Sequence, residues 1–146
     1  MIIIILYLIL LAAIHAKVEL TIEGRKGGWG LRFPCWVINN KLTQLIIGKE
    51  LTGYHFYLMI MFLLIFHSPF IFIEYSFKKE LLILGAYFWY WVIEDFLWFI
   101  ENDYYGLRNF KAGRIRWHRR WFLKLPYSYW ESMIVGTVLL IIGGIR

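Results

Sequence analysis

From Leu51 to Ile73 the chain carries no Asp, Glu, Lys or Arg, with Glu50 and Glu74 closing the run at its two ends. As a helix at 1.5 Å per residue it is about 35 Å long, enough to cross a hydrocarbon core of roughly 30 Å. A run like this in a chain of 146 residues points to a membrane protein, and the composition agrees. The chain is 60% hydrophobic and 18% charged, against roughly 45–50% apolar and about 25% charged in an average soluble domain. That much apolar surface excludes a disordered chain. Cys35 is the only cysteine, which excludes an internal disulfide framework. The 8 Trp, 10 Tyr and 12 Phe suit the lipid–water boundary, and a net charge of +6 suits an anionic membrane surface.

Three further apolar runs define the remaining expected spans. Ile2 to Ala16 is broken only by His15 and is short, at about 22 Å. Ala13 and Ala16 would suit a signal-peptide cut, but no Lys or Arg precedes the run, so it is read as a retained span or anchor. Leu81–Ile100 is interrupted by Glu94 and Asp95. About Tyr127–Ile145 carries Glu131 near its start and sets Ser132, Gly136 and Gly143 on one face, where small residues let helices approach closely. Pro69 is expected to loosen or kink the end of the 51–73 span. The fold class expected is an all-α integral membrane protein, a single membrane domain over 1–146 with a bundle of three or four spans at about 2–16, 51–73, 81–100 and 127–145.

Segments 17–50 and 101–126 hold thirteen of the sixteen Lys and Arg residues. The positive-inside rule places both in the cytoplasm, in the cytoplasmic membrane of a prokaryote. If the first run does not cross, only the N-terminus changes side. Val18, Leu20 and Ile22 alternate with Glu19, Thr21 and Glu23, and Trp29, Leu31 and Phe33 alternate after the glycines of 24–28. This period of two predicts a small cytoplasmic β-hairpin with one apolar face.

Glu94 and Asp95 lie seven and six residues from Glu101, about 10 Å into their span, where a charged side chain costs roughly 2.5–3.5 kcal/mol. Threading the spans brings His55, Glu94, Asp95, Glu101, His118 and Glu131 toward one boundary, with His67 about 18 Å away at the other end. His55, Glu94 and His118 form a candidate ligand set for Zn, Mn or Fe, with Asp95 or Glu101 as a second acid or as general base to a bound water. The chain has no HExxH or ExxH. The plainer alternative ranks first: Glu94 and Asp95 pair with Arg108, Arg114 or Arg116, or hydrogen-bond aromatic hydroxyls such as Tyr54 and Tyr57. A proton or ion pathway is the third reading. His15 reads as interfacial and His67 as a helix-end hydrogen-bonding residue.

The stretch from Arg114 to Phe122 mixes cations with aromatics. As a helix it would set Ile115, His118, Phe122 and Leu125 on one side and lay Arg116, Arg119 and Arg120 on lipid phosphates. The sharper reading is a headgroup or diphosphate pocket beside the acids. Gly24-Arg-Lys-Gly-Gly-Trp-Gly matches neither the P-loop nor the dinucleotide-binding pattern, and Cys35 reads as a packing residue.

The set IEGRKGGWGLRFPCW, LTGYH, FHSPF, EDFLWFIENDYYG and WHRRW resembles small prokaryotic multi-pass membrane proteins of no known function, over about residues 22–121. The resemblance implies a free-standing small membrane protein and transfers no activity and no site residue. The leading functional expectation is a metal-binding protein or enzyme acting on a lipid or isoprenoid-like amphiphile at the cytoplasmic boundary. A non-catalytic subunit of a membrane complex and an oligomeric proton or ion pathway are the alternatives. Expected partners are membrane lipids with anionic headgroups and a homo-oligomer or larger membrane complex; nucleic acid is set aside because the interface accounts for the same aromatics.

Overall fold

A computed structural model of the chain describes residues 2–30 and 33–144. It is mostly helical, with two small two-stranded sheets. The elements are α1 (Ile2–Glu23), β1 (Val37–Ile38), α2 (Lys41–Ile46), β2 (Leu51–Thr52), α3 (Gly53–His67), α4 (Phe77–Glu101), α5 (Gly106–Asn109), β3 (Trp121–Phe122), β4 (Leu125–Pro126) and α6 (Tyr127–Gly144). Three helical segments, Ile3–Glu23, Gly53–Ile71 and Phe77–Glu101, are long and apolar enough to cross a membrane. The fourth expected span is formed as α6, which opens on the polar run Tyr-Ser-Tyr-Trp-Glu-Ser, and it is not among the three.

The expected hairpin over 18–33 is not formed. α1 continues to Glu23, and Leu31 lies outside the described residues. The apparent period of two conceals a helical one. Ala12, His15, Ala16, Glu19 and Glu23 are buried on one side, whereas Val18 and Ile22 are 47% and 55% exposed. Small and polar residues facing inward with aliphatic ones outward is the pattern of a helix whose solvent is lipid. Thr21 is exposed and donates back to the Lys17 carbonyl at 2.7 Å, a bond that belongs to helix. The chain reaches its sheets later: β1 pairs with β2 (Val37↔Thr52, Ile38↔Leu51) and β3 with β4 (Trp121↔Pro126, Phe122↔Leu125), both antiparallel.

α3 starts at Thr52, whose hydroxyl accepts from the His55 amide at 3.3 Å. It ends at His67, where Pro69 tightens the chain into a 3₁₀ turn over Ser68–Ile71. α4 starts at Ser76, which accepts from the Lys79 amide, and packs between α1 and α6. The small-residue face of α6 meets α4 closely. A Cβ at Gly136 would stand 3.0 Å from the Gly85 carbonyl oxygen and 2.8 Å from the Trp89 ring, and one at Gly143 would stand 2.8 Å from the Lys78 carbonyl.

The helix expected over 114–122 is also absent. Residues 110–120 form an irregular strap leading into β3. Ile115, Trp117 and His118 are buried while Arg114, Arg116, Arg119 and Arg120 are exposed. A helix would turn Trp117 away from Ile115, whereas extended chain sets both on the same side. Trp117 stacks on Phe99 with centroids 5.9 Å apart and presents an edge to Trp98 at the same distance. On its other side the indole lies directly against Gly28. The Gly28 φ of +144° suits glycine, and any Cβ there would collide with the ring. Asn102 fixes the same end of α4. It is fully buried, donates to the Arg25 carbonyl at 3.0 Å and accepts from the Tyr104 and Tyr105 amides at 3.0 Å each.

Candidate functional site

The C-terminal ends of α1 and α4 and the N-terminal ends of α3 and α6 meet at one end of the bundle. α1 contributes Glu19 and Glu23, one helical turn apart; α3 contributes His55; α4 contributes Glu94 and Asp95; α6 contributes Tyr129 and Glu131. The connecting segments add Trp29, Lys49 and His118. Together they surround a cavity of about 300 Å³ whose walls are otherwise largely aromatic and aliphatic, including Met59, Tyr87, Phe88, Trp91, Val92, Trp98, Trp117 and Val135.

Asp95 Oδ2 lies 3.0 Å from His118 Nε2, and the Tyr129 hydroxyl donates to the same oxygen. Burial pushes the His118 pKa down, with Asp95 opposing, so the ring favours its neutral form. A neutral imidazole against a carboxylate donates, which puts the hydrogen on Nε2 and leaves the lone pair on Nδ1. His55 is oriented by Thr52, 3.0 Å from Nδ1, and its Nε2 lies 3.6 Å from Glu19 Oε1. His15 Nδ1 lies 2.9 Å from the Tyr90 hydroxyl oxygen and 3.7 Å from Glu94 Oε1; its Nε2 stands 3.8 Å from Glu19 Oε1. Glu23 Oε1 accepts from the Gly30 amide.

Trp29 is held between two cationic or basic groups. The Lys49 ammonium nitrogen is 3.2 Å from its ring centroid, and the His55 ring stacks at 3.8 Å and 20°. Its indole N–H donates to the Glu50 carbonyl at 2.6 Å. Lys49 is only 7% exposed. Burial pushes its pKa down while Asp95, Glu19, Glu94 and Glu23 pull it back up. The cavity wall therefore has five carboxyl side chains and, among its described lining residues, Lys49 as its one Lys or Arg.

Eight buried side-chain polar atoms among the described residues have no hydrogen-bond partner, and six of them belong to residues of this wall: Glu19 Oε1, Glu23 Oε2, Glu94 Oε1 and Glu131 Oε2 as acceptors, Trp91 Nε1 and Trp98 Nε1 as donors. His15 Nε2, beside Glu19, and Glu101 Oε2 are the others. Buried polar atoms are satisfied in more than about 90% of cases, so this concentration marks a place where water or a ligand completes the structure.

Of the residues singled out in the sequence, His55, Glu94, Asp95, His118 and Glu131 line the cavity; Glu101 does not. His67 lies at the other end, 2.9 Å from Glu80 Oε1, with Nδ1 at 2.7 Å from the Leu63 carbonyl. His15, expected at the interface, is instead buried beside Glu94. Among the described residues, no three His, Cys, Asp or Glu side chains stand in a geometry that would hold a metal ion. No Arg pairs with Glu94 or Asp95 among those residues. Arg119 lies 3.3 Å from Glu50, and Arg120 bonds the Gln44 carbonyl and covers the Tyr127 ring. Arg116 is exposed.

Sequence reasoning missed His15, Glu19, Glu23, Trp29, Lys49 and Tyr129. The spacing of His15, Glu19 and Glu23, continuing the Ala12–Ala16 stripe, held the helical signal for the first three. Nothing local marks Lys49 or Trp29, which a fold-dependent loop carries inward. The chain matches no protein-family model, no curated protein and no solved structure.

Proposed function

We propose that this is a small polytopic protein of a prokaryotic cytoplasmic membrane, with segments 24–52 and 102–126 on the cytoplasmic side, that performs acid–base chemistry on a lipid or isoprenoid-like amphiphile. One observation carries the reading. An imidazole 3.0 Å from a carboxylate that a tyrosine also holds borders a cavity of about 300 Å³ with largely apolar walls. In this reading His118 Nδ1 takes a proton from a hydroxyl or water at the amphiphile head, and Asp95 stabilises the imidazolium that results. Tyr129 fixes Asp95. The aromatic walls receive the first part of the chain of the amphiphile, and the bilayer receives the rest.

The test is conversion of lipid. Protein reconstituted with a total bacterial lipid extract is incubated, and the lipids are compared by mass spectrometry with those exposed to His118→Gln and Asp95→Asn. Wild type is expected to deplete one lipid class and produce another, with the rate falling by about 10²-fold or more in each folded variant. A wild type that converts nothing overturns the proposal.

A second reading has its own observation. Tyr90, His15, Glu19, His55 and Thr52 form a row across α4, α1, α3 and the end of β2, with spacings of 2.9, 3.8, 3.6 and 3.0 Å. Such a row suits proton transfer once water fills the two longer gaps. It predicts proton flux into liposomes that Glu19→Gln abolishes; wild-type liposomes that hold a pH gradient as tightly as empty ones would remove it.

A further inference from the structure

We infer that the amphiphile taken by this cavity presents a protonated amine, and that Glu19, Glu23 and Glu94 receive it. The inference rests on the reading of the cavity as an amphiphile site and names the headgroup. Phosphate is the headgroup that a basic membrane protein would be expected to seek, but the bases are in the wrong place for it. Arg119 and Arg120 are exposed and engaged by Glu50, Gln44 and Tyr127, and neither lines the cavity. The wall is acidic instead.

The acids have room for a donor. Glu19, Glu23 and Glu94 are all more than nine-tenths buried, and each keeps one carboxyl oxygen without a hydrogen-bond partner. Carboxylates so far from water need a cation, and Lys49 supplies one charge for several of them. Lys49 also shows what the wall accepts, since its ammonium rests on the face of Trp29 at 3.2 Å. Trp91 and Trp98 line the same cavity as the three acids. An alkylammonium fits both features, donating N–H to carboxylate and laying its first methylenes on indole. A phosphate offers neither and would be repelled.

The experiment compares three probes with one chain length: dodecylamine, dodecan-1-ol and dodecyl phosphate. Each is titrated into the full-length protein in phosphatidylcholine nanodiscs, and the saturable change in tryptophan fluorescence is followed. Dodecylamine is expected to half-saturate at a concentration about tenfold or more below the other two. Glu94→Gln is expected to erase that preference, and Glu74→Gln, at an exposed position, to keep it. If Glu94→Gln does not fold, Glu19→Gln is read in its place. Dodecan-1-ol or dodecyl phosphate binding as well as the amine would overturn the amine assignment and leave the amphiphile site intact. An amine preference that survives both Glu94→Gln and Glu19→Gln would overturn it as well. Saturable binding by none of the three would overturn both.

Discussion

His118 Nε2 and Asp95 Oδ2 meet at 3.0 Å across 23 residues of sequence, and Tyr129 bonds the same oxygen from a third element. The strap after α5, the end of α4 and the start of α6 therefore share one acceptor. Asp95→Ala would leave a buried N–H and a buried O–H without it, at about 1–3 kcal/mol each. The expected loss is about 3 kcal/mol in reversible unfolding in mixed micelles. Tyr129→Phe removes one donor and leaves no orphan, so about 1 kcal/mol is expected. Equal stability of wild type and Asp95→Ala would show that the three elements are not joined there.

The same imidazole sets a pH dependence. Burial depresses the folded-state pKa of His118 below the ordinary 6.5, with Asp95 and Lys49 as the charged groups facing it. Below about pH 6.5 the unfolded chain takes up a proton that the folded chain refuses. Protonation thus favours unfolding, and the contribution of His118 to stability falls as the pH drops through that value. Wild type is expected to lose more stability between pH 7 and pH 5 than His118→Gln does. Parallel profiles for the two proteins would contradict it.

Helix packing gives a third prediction. Gly136 faces Gly85 so closely that a Cβ would stand 3.0 Å from backbone oxygen, which cannot rotate away. Gly136→Val is expected to cost about 1–3 kcal/mol by forcing α6 off α4. Val138 is exposed on α6, and Val138→Leu is expected to have no comparable effect. Both are measured by the same unfolding assay.

The face of Gly136 and Gly143 was legible because a small residue recurring on one side of an apolar helix has few other uses. The three long apolar helices were legible from length and apolarity alone. The gathering of His55, Glu94, Asp95 and His118 at one end followed from depth arithmetic along those spans. What failed were the local readings of segments whose surroundings decide their form. Residues 18–23 alternate in polarity, yet the buried set, His15, Ala16, Glu19 and Glu23, is spaced by helical turns because the neighbouring helices cover that one face and leave Val18 and Ile22 exposed. Arg114 to Phe122 has a helical stripe, yet Trp117 and Ile115 must both reach Phe99 and its neighbours, which only an extended strap allows. The partners of His15 were illegible because a single histidine in an apolar run gives no sign of which helix faces it.

The sequence expectation of a metal held by His55, Glu94 and His118 leads to the last prediction. Both histidines are engaged elsewhere. His55 is fixed by Thr52 and directed toward Glu19, and His118 is bonded to Asp95. A shared ion would have to draw His118 from the carboxylate that orients it and turn His55 from Glu19. Protein purified without chelator or His-tag is therefore expected to carry well below one transition-metal ion per chain by mass spectrometry. His118→Gln is expected to leave that content unchanged. Near-stoichiometric metal in wild type, lost in folded His55→Ala, Glu94→Gln and His118→Gln alike, would show that these three side chains leave their present partners and converge on an ion.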